Sequence, residues 1–461
     1  MWKDIPDFSQ QLVKTTLDKY AKLAKTGKPL LHVNKAEWTV LASILLVYYV
    51  SKDDYSIQVV SMGKNSSMNK EEYERSKEGL FQQKKWLMIV FNICRTGLKC
   101  LPCSKLCKSG QVVHDCHAEV IARRGFIKYC IDQMSVQDGP FTAINNNHQQ
   151  WQLKPNYSFH MYISQSPCGD ASMTVLAESQ STASFEAFQA GIKRKKETDS
   201  RLIENAYGNK KQKLDNSNEI AGRGRFGFDQ LGILRTKPGR VDAEPTLSMS
   251  CSDKLARWNV LGLQSALLAN VFDPIYLESI TIGDMFDQEA LERALYQRVE
   301  TIKDLPSPYS LHQPIIYSTD IHFESSKTVL ESTEKYTAVI SCSTSICWVS
   351  GMDKQEVIVH GRKQGAPKGK TSNPKTRPSI CKKSLLAKFL NSTKESSEKT
   401  LFELKKEATV YQQAKHCLLD QLFQSWVQTP SDKEKFQTFF VLTAKPPSLA
   451  LSPFSTFIRK K

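Results

Sequence analysis

Residues 114–126 (HDCHAEVIARRGF) hold the side chains with the clearest chemical potential, because they place an imidazole and a carboxylate two positions apart. Asp115 is of a type that caps helices. Apolar residues follow at near-helical intervals, at Val120, Ile121, Ile127 and Ile131. The pattern predicts a helix with His117 and Glu119 in its first turn, and since residues two apart do not face each other, they can share a substrate only over the N-terminal end of that helix. The alternative is an ordinary surface segment, in which Glu119 and Arg123 form an i,i+4 ion pair.

Two cysteines far along the chain extend this pattern. Zinc deaminases combine H-x-E with a downstream P-C-x-x-C, in which the His and both Cys bind zinc and the Glu carries protons without being a ligand. Pro167 and Cys168 supply the start of the second motif, but Ala171 stands at the second Cys position. Because a catalytic zinc takes three protein ligands and an open position for water, a third ligand must come from elsewhere. Cys251 is the best candidate, since it begins a predicted helix and helix N-termini favour thiolates.

We therefore predict that His117, Cys168 and Cys251 bind zinc, with Glu119 as the catalytic residue. Zinc lowers the pKa of bound water to about 7, and Glu119 would take that proton and pass it to a ring nitrogen and a leaving amine. The competing interpretations are a closed structural zinc site and three residues that never meet. A second candidate metal site, C-x2-C-x3-C-x6-H, could be a zinc knuckle of unfamiliar spacing, formed by Cys100, Cys103, Cys107 and His114.

Charge and length restrict the class of protein. The chain has 461 residues with 63 Lys and Arg against 47 Asp and Glu, and its net charge of +16 favours an anionic partner such as nucleic acid. The longest apolar runs, 38–50 and 86–93, are too short to span a bilayer, and the N-terminal residues lack a secretory apolar core. Twelve cysteines in so long a chain do not make a disulfide scaffold. We expect an intracellular protein of the nucleus or cytoplasm, monomeric and without a membrane partner.

The elements that must position these residues can be predicted from periodicity. Helices are predicted at 8–23, 38–50, 251–270, 382–390 and 401–427. Strands are predicted at 56–62, 157–164, 275–283, 336–341 and 356–360. Helices mixed with short β-rich runs indicate an α/β layered fold. Residues 64–93 follow neither period and are interpreted as an insertion, and 174–228 as a flexible basic insertion. Its lysine-rich run, 193–213, is a nuclear address, an RNA-grasping arm or simply a solvated charged segment.

Three motifs together carry a family resemblance. HDCHAEVIARR, SPCGDAS and SMSCSDKLARWNVLG resemble the deaminase motifs of the adenosine deaminases acting on RNA, including the replacement of the second motif Cys by a distant one. GILRTKPGR before the third motif, and no sign of double-stranded-RNA-binding domains, make the chain most similar to the branch that acts on tRNA. The resemblance implies a single editase-type domain over 1–461, with a cytidine-deaminase-like mixed sheet flanked by helices. It also implies a C-terminal helical part, 378–461, that encloses an inositol hexakisphosphate.

The resemblance also assigns residues to this second cofactor. The inositol phosphate contacts that it implies are basic or phenolic side chains from four segments, namely Arg123, Arg124, Lys254, Arg257, Lys382, Lys405, Tyr411 and Lys415. Packing such cations together without a polyanion would cost several kcal/mol per buried charge. Asp253 and Trp258 are expected to orient them. Ala266, Leu401 and Thr429 depart from the family pattern, where polar or basic residues are usual, so the ligand would be held by fewer groups.

The implied reaction is the zinc-dependent hydrolysis of adenosine to inosine in tRNA, at the position 3′ of the anticodon of alanine tRNA. Arg235, Lys237 and Arg240 are expected to hold RNA phosphates, so affinity should fall steeply with salt. Two competing functions remain open at this point. One is the editing of duplex or messenger RNA with the same centre, and the other is a zinc-containing RNA-binding protein without turnover.

Overall fold

The computed structural model describes residues 2–51, 53–64, 100–144, 150–178, 222–223, 230–237, 244, 246–366, 373–394 and 398–438. Of the two predicted insertions, only residue 64 of the first and residues 174–178 and 222–223 of the second lie in this part of the chain. The proposed insertions, the lysine-rich run 193–213 and Arg240 therefore stay predictions. Among the described helices, none has the length and apolar character needed to cross a membrane.

Fourteen strands are present in the described part of the chain. In chain order they are β1 (Lys35–Trp38), β2 (Leu41–Ser51), β3 (Asp54–Lys64), β4 (Phe141–Ala143), β5 (Trp151–Leu153), β6 (Tyr157–Gln165), β7 (Gly222–Arg223), β8 (Arg235–Thr236), β9 (Ser279–Asp284), β10 (Ile315–Ser318), β11 (Ala338–Ser341), β12 (Ser345–Val349), β13 (Glu356–Val359) and β14 (Arg362–Lys363). Eight of them form one sheet in the order β10-β9-β6-β2-β3-β12-β13-β14. The pairs among β10, β9 and β6 are parallel and the remaining pairs are antiparallel. This confirms the predicted α/β class with a mixed sheet.

Helices cover this sheet and extend beyond it. In chain order they are α1 (Phe8–Lys22), α2 (Ala118–Gln133), α3 (Met173–Glu178), α4 (Cys251–Leu261), α5 (Ser265–Leu268), α6 (Gln288–Leu295), α7 (Lys327–Ser332), α8 (Lys382–Thr393), α9 (Leu401–Glu407) and α10 (Thr409–Gln421). α1 packs on one face of the sheet and α2 on the other, so both faces are buried. The C-terminal helices pack on the α2 side, α8 against α2 and α10 against α4.

The prediction of a helix at 38–50 is wrong, because this stretch forms the long strand β2. Ala42, Ile44 and Leu46 join the core beneath α2, whereas Leu41 and Leu45 join the core beneath α1. A strand buried on both faces is hydrophobic at every position, so it lacks the alternation that distinguishes a strand from a buried helix. β2 pairs with β3 on one side and with β6 on the other, which places it at the centre of the sheet.

Two predicted helices are interrupted in the structure. The helix over 251–270 ends at Gly262, whose φ of 72° is left-handed, and resumes as the short α5. The helix over 401–427 is divided at Ala408, whose ψ of 66° leaves the helical region, and it ends at Gln421. α2 itself approaches β3 so closely that a Cβ at Gly63 would lie 2.3 Å from the carbonyl oxygen of Ala118. Gly63 thus sets the first turn of α2 directly on the sheet.

Candidate active site

The predicted His-x-Glu pair lies at the start of α2. His117 is the N-cap residue with an extended backbone, and Glu119 is in the first turn, as predicted. The predicted cap residue, Asp115, instead lies two residues before the cap. Its Oδ1 accepts hydrogen bonds from the His117 backbone N–H at 3.0 Å and from the His117 Nδ1 at 2.7 Å. Glu119 is 3% exposed, and its buried Oε2 has no hydrogen-bond partner in the part of the chain that the structure describes. A buried carboxylate oxygen without a partner is costly, so it marks a position prepared for a ligand or water.

Cys168 and Cys251 meet where a loop from β6 docks on the N-terminus of α4. The Cys251 backbone N–H points at the Cys168 Sγ, 3.4 Å away, and the Ser252 N–H donates to the Cys168 carbonyl oxygen at 3.0 Å. Gly169 makes this approach possible: its φ is 107°, and a Cβ there would lie 2.2 Å from the Ser250 Oγ. Ser250 caps α4 by accepting from the Asp253 N–H at 3.1 Å. The helix N-terminus is thus aimed at the Cys168 sulfur, as the sequence argument for Cys251 requires.

The three predicted zinc ligands come together around Cys168. Its side chain is hydrogen-bonded to both Cys251 and His117. The hydrogen bond from Cys251 holds the pKa of Cys168 well below its usual range, and the positive charges of Lys237 and His117 lower it further against the effect of burial. Burial raises the pKa of Cys251, and the nearby negative charges of Cys168 and Glu119 raise it further. One thiolate, one thiol and one imidazole therefore share a largely buried space near Glu119. Such a set of S and N donors suits Zn²⁺.

A second group of donors overlaps this one. The Cys100 Sγ, an Asp115 carboxylate oxygen and a His117 ring nitrogen lie within 4.8 Å of one another, and the Cys100 Sγ is 3.7 Å from the His117 Nδ1. Because Asp115 already engages Nδ1, it orients the imidazole in the manner of an outer carboxylate and leaves the other ring nitrogen for a metal. The alternative zinc knuckle does not assemble within the described residues. The His114 Nε2 instead accepts from the Cys107 backbone N–H at 3.1 Å.

Asp115 is the electrostatic centre of the site, a role that the sequence did not suggest. Its Oδ2 accepts from Lys237 at 3.0 Å, from Ser248 at 2.7 Å and from Lys254 in a shorter contact. Burial raises the pKa of Asp115, but the charges of Lys237, Lys254 and His117 outweigh burial and hold the pKa well below its usual range. Lys237 also lies 3.1 Å from the Cys251 Sγ, so it joins Asp115 to a predicted zinc ligand.

The predicted RNA contacts at Arg235 and Lys237 need correction. Arg235 is fully buried and its guanidinium donates to the Gln230 carbonyl oxygen at 2.5 Å, while Lys237 is 3% exposed and bound to Asp115. Neither cation reaches the surface, so neither holds an RNA phosphate in this structure. Charged side chains are seldom fully buried unless they are paired, which is why both were expected at the surface. Arg240, the third predicted contact, lies outside the described residues.

A large cationic cavity lies behind the site. It has a volume of about 490 Å³, and all eight residues assigned to the inositol phosphate line it, namely Arg123, Arg124, Lys254, Arg257, Lys382, Lys405, Tyr411 and Lys415. With Lys406 included, eight basic side chains face two acidic ones, Asp115 and Glu434. The cavity therefore carries an excess of six positive charges in a space large enough for a small ligand.

The cations of the cavity destabilise one another. Burial, together with the charges of Arg257 and Arg124, lowers the pKa of Arg123 to about 10. Burial and the charge of Lys405 lower the pKa of Lys382 to about 8. Groups that resist protonation in this way are those that a bound anion would stabilise. The donor chemistry of the cavity therefore fits a polyanion.

Aromatic and acidic side chains arrange these cations. The Arg123 guanidinium lies over the Trp258 ring at 5.0 Å, as expected for Trp258, and the Arg257 guanidinium lies over Trp426 at 4.9 Å. Asp253, by contrast, pairs with Arg298 at 2.7 Å, outside the expected set. The sequence interpretation missed Glu434. Its carboxylate bridges Lys382 and Lys405 at 2.5 and 2.7 Å. The three departures from the family pattern, Ala266, Leu401 and Thr429, also line the cavity.

A His-x-Glu pair at a helix start, two cysteines from neighbouring elements and a mixed sheet form the arrangement of the zinc-dependent deaminases. Comparison with known proteins narrows this class. A sequence profile described as the adenosine-deaminase (editase) domain matches residues 94–430, and the chain belongs to this family. The predictions of the family and of a hydrolytic adenosine deaminase are thereby confirmed.

Individual relatives fall into two groups. The human tRNA-specific adenosine deaminase 1 is 29% identical over 441 residues, covering 74% of this chain and 87% of the relative. The tRNA-specific adenosine deaminase 1 of Schizosaccharomyces pombe is 28% identical over 438 residues, covering 91% and 94%. The mouse double-stranded RNA-specific adenosine deaminase is 30% identical over 366 residues, covering 74% of this chain but 28% of the relative. The tRNA-specific relatives are thus matched along most of their length and the mouse duplex-RNA enzyme along a minor part.

Proposed function

We propose that the chain hydrolyses adenosine to inosine in tRNA, with a zinc ion held by His117, Cys168 and Cys251. The observation that carries this proposal is the buried Oε2 of Glu119. It has no hydrogen-bond partner among the described residues, and the Glu119 charge is near enough to Cys251 to raise the pKa of that thiol. The near end-to-end match to tRNA-specific relatives supports tRNA, since the relative that acts on duplex RNA matches only over part of its length.

Each residue has a separate task in this proposal. When bound, zinc would acidify a water molecule and so provide a nucleophile near neutral pH. The unsatisfied oxygen of Glu119 accepts one proton from the attacking water, and the carboxyl group delivers it to the purine ring nitrogen. The same carboxylate then takes the second proton from the hydroxyl added to the ring and gives it to the amino group, which departs as ammonia. Asp115 holds the His117 ring through Nδ1. Lys237 offsets the negative charge that builds up on two adjacent sulfurs.

The finer substrate in this proposal is the adenosine 3′ of the anticodon in alanine tRNA. That nucleotide must turn out of its stack to reach Glu119, which costs a few kcal/mol and less for a loop nucleotide than for a paired one. Because Arg235 and Lys237 are buried, the phosphates are assigned to other cations, with Arg240 and the run 193–213 as the first candidates. We further propose that the protein acts as a monomer inside the cell, in the nucleus or the cytoplasm.

An inositol hexakisphosphate in the cationic cavity completes the proposal. The cavity has an excess of basic side chains, and burial and neighbouring cations lower the pKa of Arg123 and of Lys382, which supports a bound polyanion. Ala266, Leu401 and Thr429 stand where polar or basic residues are usual in the family pattern, so fewer contacts to the polyanion are expected. Side chains from α8, α9 and α10 line the cavity, so these C-terminal helices would hold the ligand. Phosphorus analysis of the desalted protein, compared with a Lys415→Met variant, tests this part separately from catalysis.

The decisive experiment compares inosine formation in transcribed alanine tRNA and in duplex RNA, with zinc analysis of the same protein. Conversion of the tRNA alone supports the proposal, whereas conversion of the duplex alone would favour a messenger-RNA editor. Zinc without either product would indicate a non-catalytic RNA-binding protein. Glu119→Gln should lower kcat by about 10² to 10⁴ while zinc is retained. Glu331→Gln is the matched control and should leave kcat unchanged, because the Glu331 side chain is 52% exposed and forms a surface ion pair with Lys327 at 3.4 Å.

A further inference from the structure

Lys64, the last residue of β3, has a completely buried side chain. Its Nζ lies 2.7 Å from the Gly27 carbonyl oxygen, 2.9 Å from the Thr344 carbonyl oxygen and 2.7 Å from the Sγ of Cys342. Cys342 follows β11 directly and is 1% exposed. Neither Lys64 nor Cys342 lines the cationic cavity, and neither belongs to the zinc ligands. An amine and a thiol are therefore enclosed together at a place that the deaminase reaction does not use.

The charge balance at this place is unusual. Within the described residues, no carboxylate lies at ion-pair distance from the Lys64 Nζ, and Glu37, the nearest acidic influence, is hydrogen-bonded to the Leu30 N–H. Burial lowers the pKa of Lys64, while the Cys342 sulfur acts in the opposite direction. A buried ammonium without a carboxylate needs another negative partner or must lose its proton. Among the described residues in contact with the Lys64 Nζ, the Cys342 sulfur is the group whose chemistry allows a negative charge. A nucleophilic nitrogen and a nucleophilic sulfur therefore lie side by side in the interior.

The geometry suits a specific covalent product. We propose that Lys64 and Cys342 form an oxidant-dependent cross-link in which one oxygen atom joins Nζ to Sγ. A separation of 2.7 Å is short enough for one bridging oxygen to span with little movement of either side chain. A direct sulfur–nitrogen bond would need the two atoms to move much closer. The carbonyl oxygens of Gly27 and Thr344 hold the amine in place beside the sulfur.

The chemistry balances with hydrogen peroxide as the oxidant. In the first step the Cys342 sulfur attacks one peroxide oxygen, the O–O bond breaks, and a sulfenic acid and one water result. In the second step another peroxide molecule oxidises the sulfenic acid and the amine together. The N–O bond forms, one N–H and the sulfenic O–H are lost, and two waters leave. The thiol and amine together lose four electrons, which the two peroxide molecules take up. One molecule of O2 can accept the same four electrons, with one of its oxygen atoms entering the bridge and the other leaving as water.

The cross-link would fix the end of β3. Lys64 follows Gly63, on which the first turn of α2 rests, and Cys342 belongs to the segment between β11 and β12. The bridge would connect residues 64 and 342, which are 278 positions apart. A covalent link over so long a loop restricts the unfolded chain strongly, so the oxidised protein should be more resistant to heat. The strand beneath the catalytic helix would thus respond to oxidant without a change in the active site itself.

Peptide mass spectrometry of the full-length protein after peroxide treatment tests this directly. The expected product joins the peptides that contain Lys64 and Cys342. Its mass is the sum of the two unmodified peptides plus one oxygen and minus two hydrogens, and it disappears on treatment with dithiothreitol. The thermal midpoint should rise with peroxide and fall again on reduction. Cys342→Ser and Lys64→Arg should abolish both effects. Cys347→Ser is the matched control, since Cys347 is as deeply buried in β12 and, among the described residues, no lysine amine is hydrogen-bonded to its sulfur.

Three results would overturn the proposal. The first is sulfinic or sulfonic acid on Cys342 with Lys64 unmodified. The second is a joined peptide that has lost two hydrogens without gaining oxygen. The third is joined peptides in the Lys64→Arg protein. Because the mass measurement on the wild-type protein needs no variant, failure of Lys64→Arg to fold would leave the test intact.

Discussion

Replacing Asp115 with Asn should damage both folding and metal binding. The Asp115 carboxylate accepts hydrogen bonds from the His117 N–H and Nδ1, from Ser248, and from the two cations Lys237 and Lys254. Asn keeps one oxygen that can accept from His117. It replaces the other oxygen, which faces the two lysines, with an uncharged NH₂ group. Two buried ammonium groups then lose their counter-charge, and the imidazole loses the carboxylate that fixes its tautomer.

The magnitude follows from the burial of these groups. The side chains of Asp115 and Lys237 are 9% and 4% exposed, so solvent screens the pair weakly. Removing one partner of a buried, hydrogen-bonded ion pair costs about 3 to 5 kcal/mol. Loss of an outer carboxylate weakens metal affinity by about 10- to 100-fold. We therefore expect a fall of this size in the urea unfolding free energy and a matching loss of zinc to a competing chelator.

Asp132→Asn provides the matched control. Asp132 also contacts two lysines, Lys128 at 2.7 Å and Lys388, but its side chain is 25% exposed and the Lys388 side chain is 37% exposed. An exposed pair of this kind is worth about 0 to 1 kcal/mol. If Asp115→Asn proved as mild as Asp132→Asn in unfolding and in zinc retention, the central role assigned to Asp115 would be refuted.

Three further changes probe the cavity and the cysteine loop. The Lys382 and Lys405 charges outweigh burial and lower the pKa of Glu434 to about 2, so its contribution of about 3 kcal/mol is present above pH 4.5 and lost as the pH falls toward 2. The unfolding free energies of wild type and Glu434→Gln in phosphate-free protein should therefore converge over that range, and a constant difference would contradict the assignment. Gly169→Ala should cost about 1 to 3 kcal/mol and release zinc, because its Cβ would meet the Ser250 Oγ at 2.2 Å, as differential scanning calorimetry and metal analysis would show. Lys415→Met should leave the phosphate-free protein equally or more stable, since burial and the charge of Arg257 lower the pKa of Lys415. The same substitution should reduce the rise in thermal midpoint that inositol hexakisphosphate causes. An unchanged rise would place the ligand elsewhere.

The strand β2 shows where prediction of secondary structure from the sequence fails. The alternation in 56–62 predicts β3 correctly because only part of that strand is buried on both faces. The same method fails for β2, since the helices that bury its two faces come from residues 8–22 and 118–133. Burial by segments so far apart leaves no local signal. Periodicity can find a half-exposed strand but cannot decide between a helix and a strand within a fully apolar run.

The functional site likewise contains residues that local sequence predicts and residues that it does not. His117 and Glu119 could be predicted because one helix start determines both positions. Cys251 could be predicted because zinc chemistry demands a third ligand. The roles of Asp115, Lys237 and Glu434 depend instead on contacts between residues far apart in the sequence. Lys237 and Asp115 are 122 positions apart, and Lys382 and Glu434 are 52 positions apart. A residue type alone favours the surface for all three, so nothing local could have revealed their burial.

The cavity and the metal site are not independent, because Asp115 belongs to both. Asp115 and Lys254 line the cavity, and the same Asp115 carboxylate holds the His117 ring at 2.7 Å. A polyanion in the cavity would pair with Lys254 and weaken the contact between Lys254 and Asp115. The Asp115 carboxylate would then interact more strongly with Lys237 and His117. By linkage, if a polyanion in the cavity tightens the binding of zinc through Asp115, zinc tightens the binding of the polyanion by the same factor. An inositol phosphate in the cavity and a zinc ion at the site should therefore support each other's binding, because Asp115 would act on both.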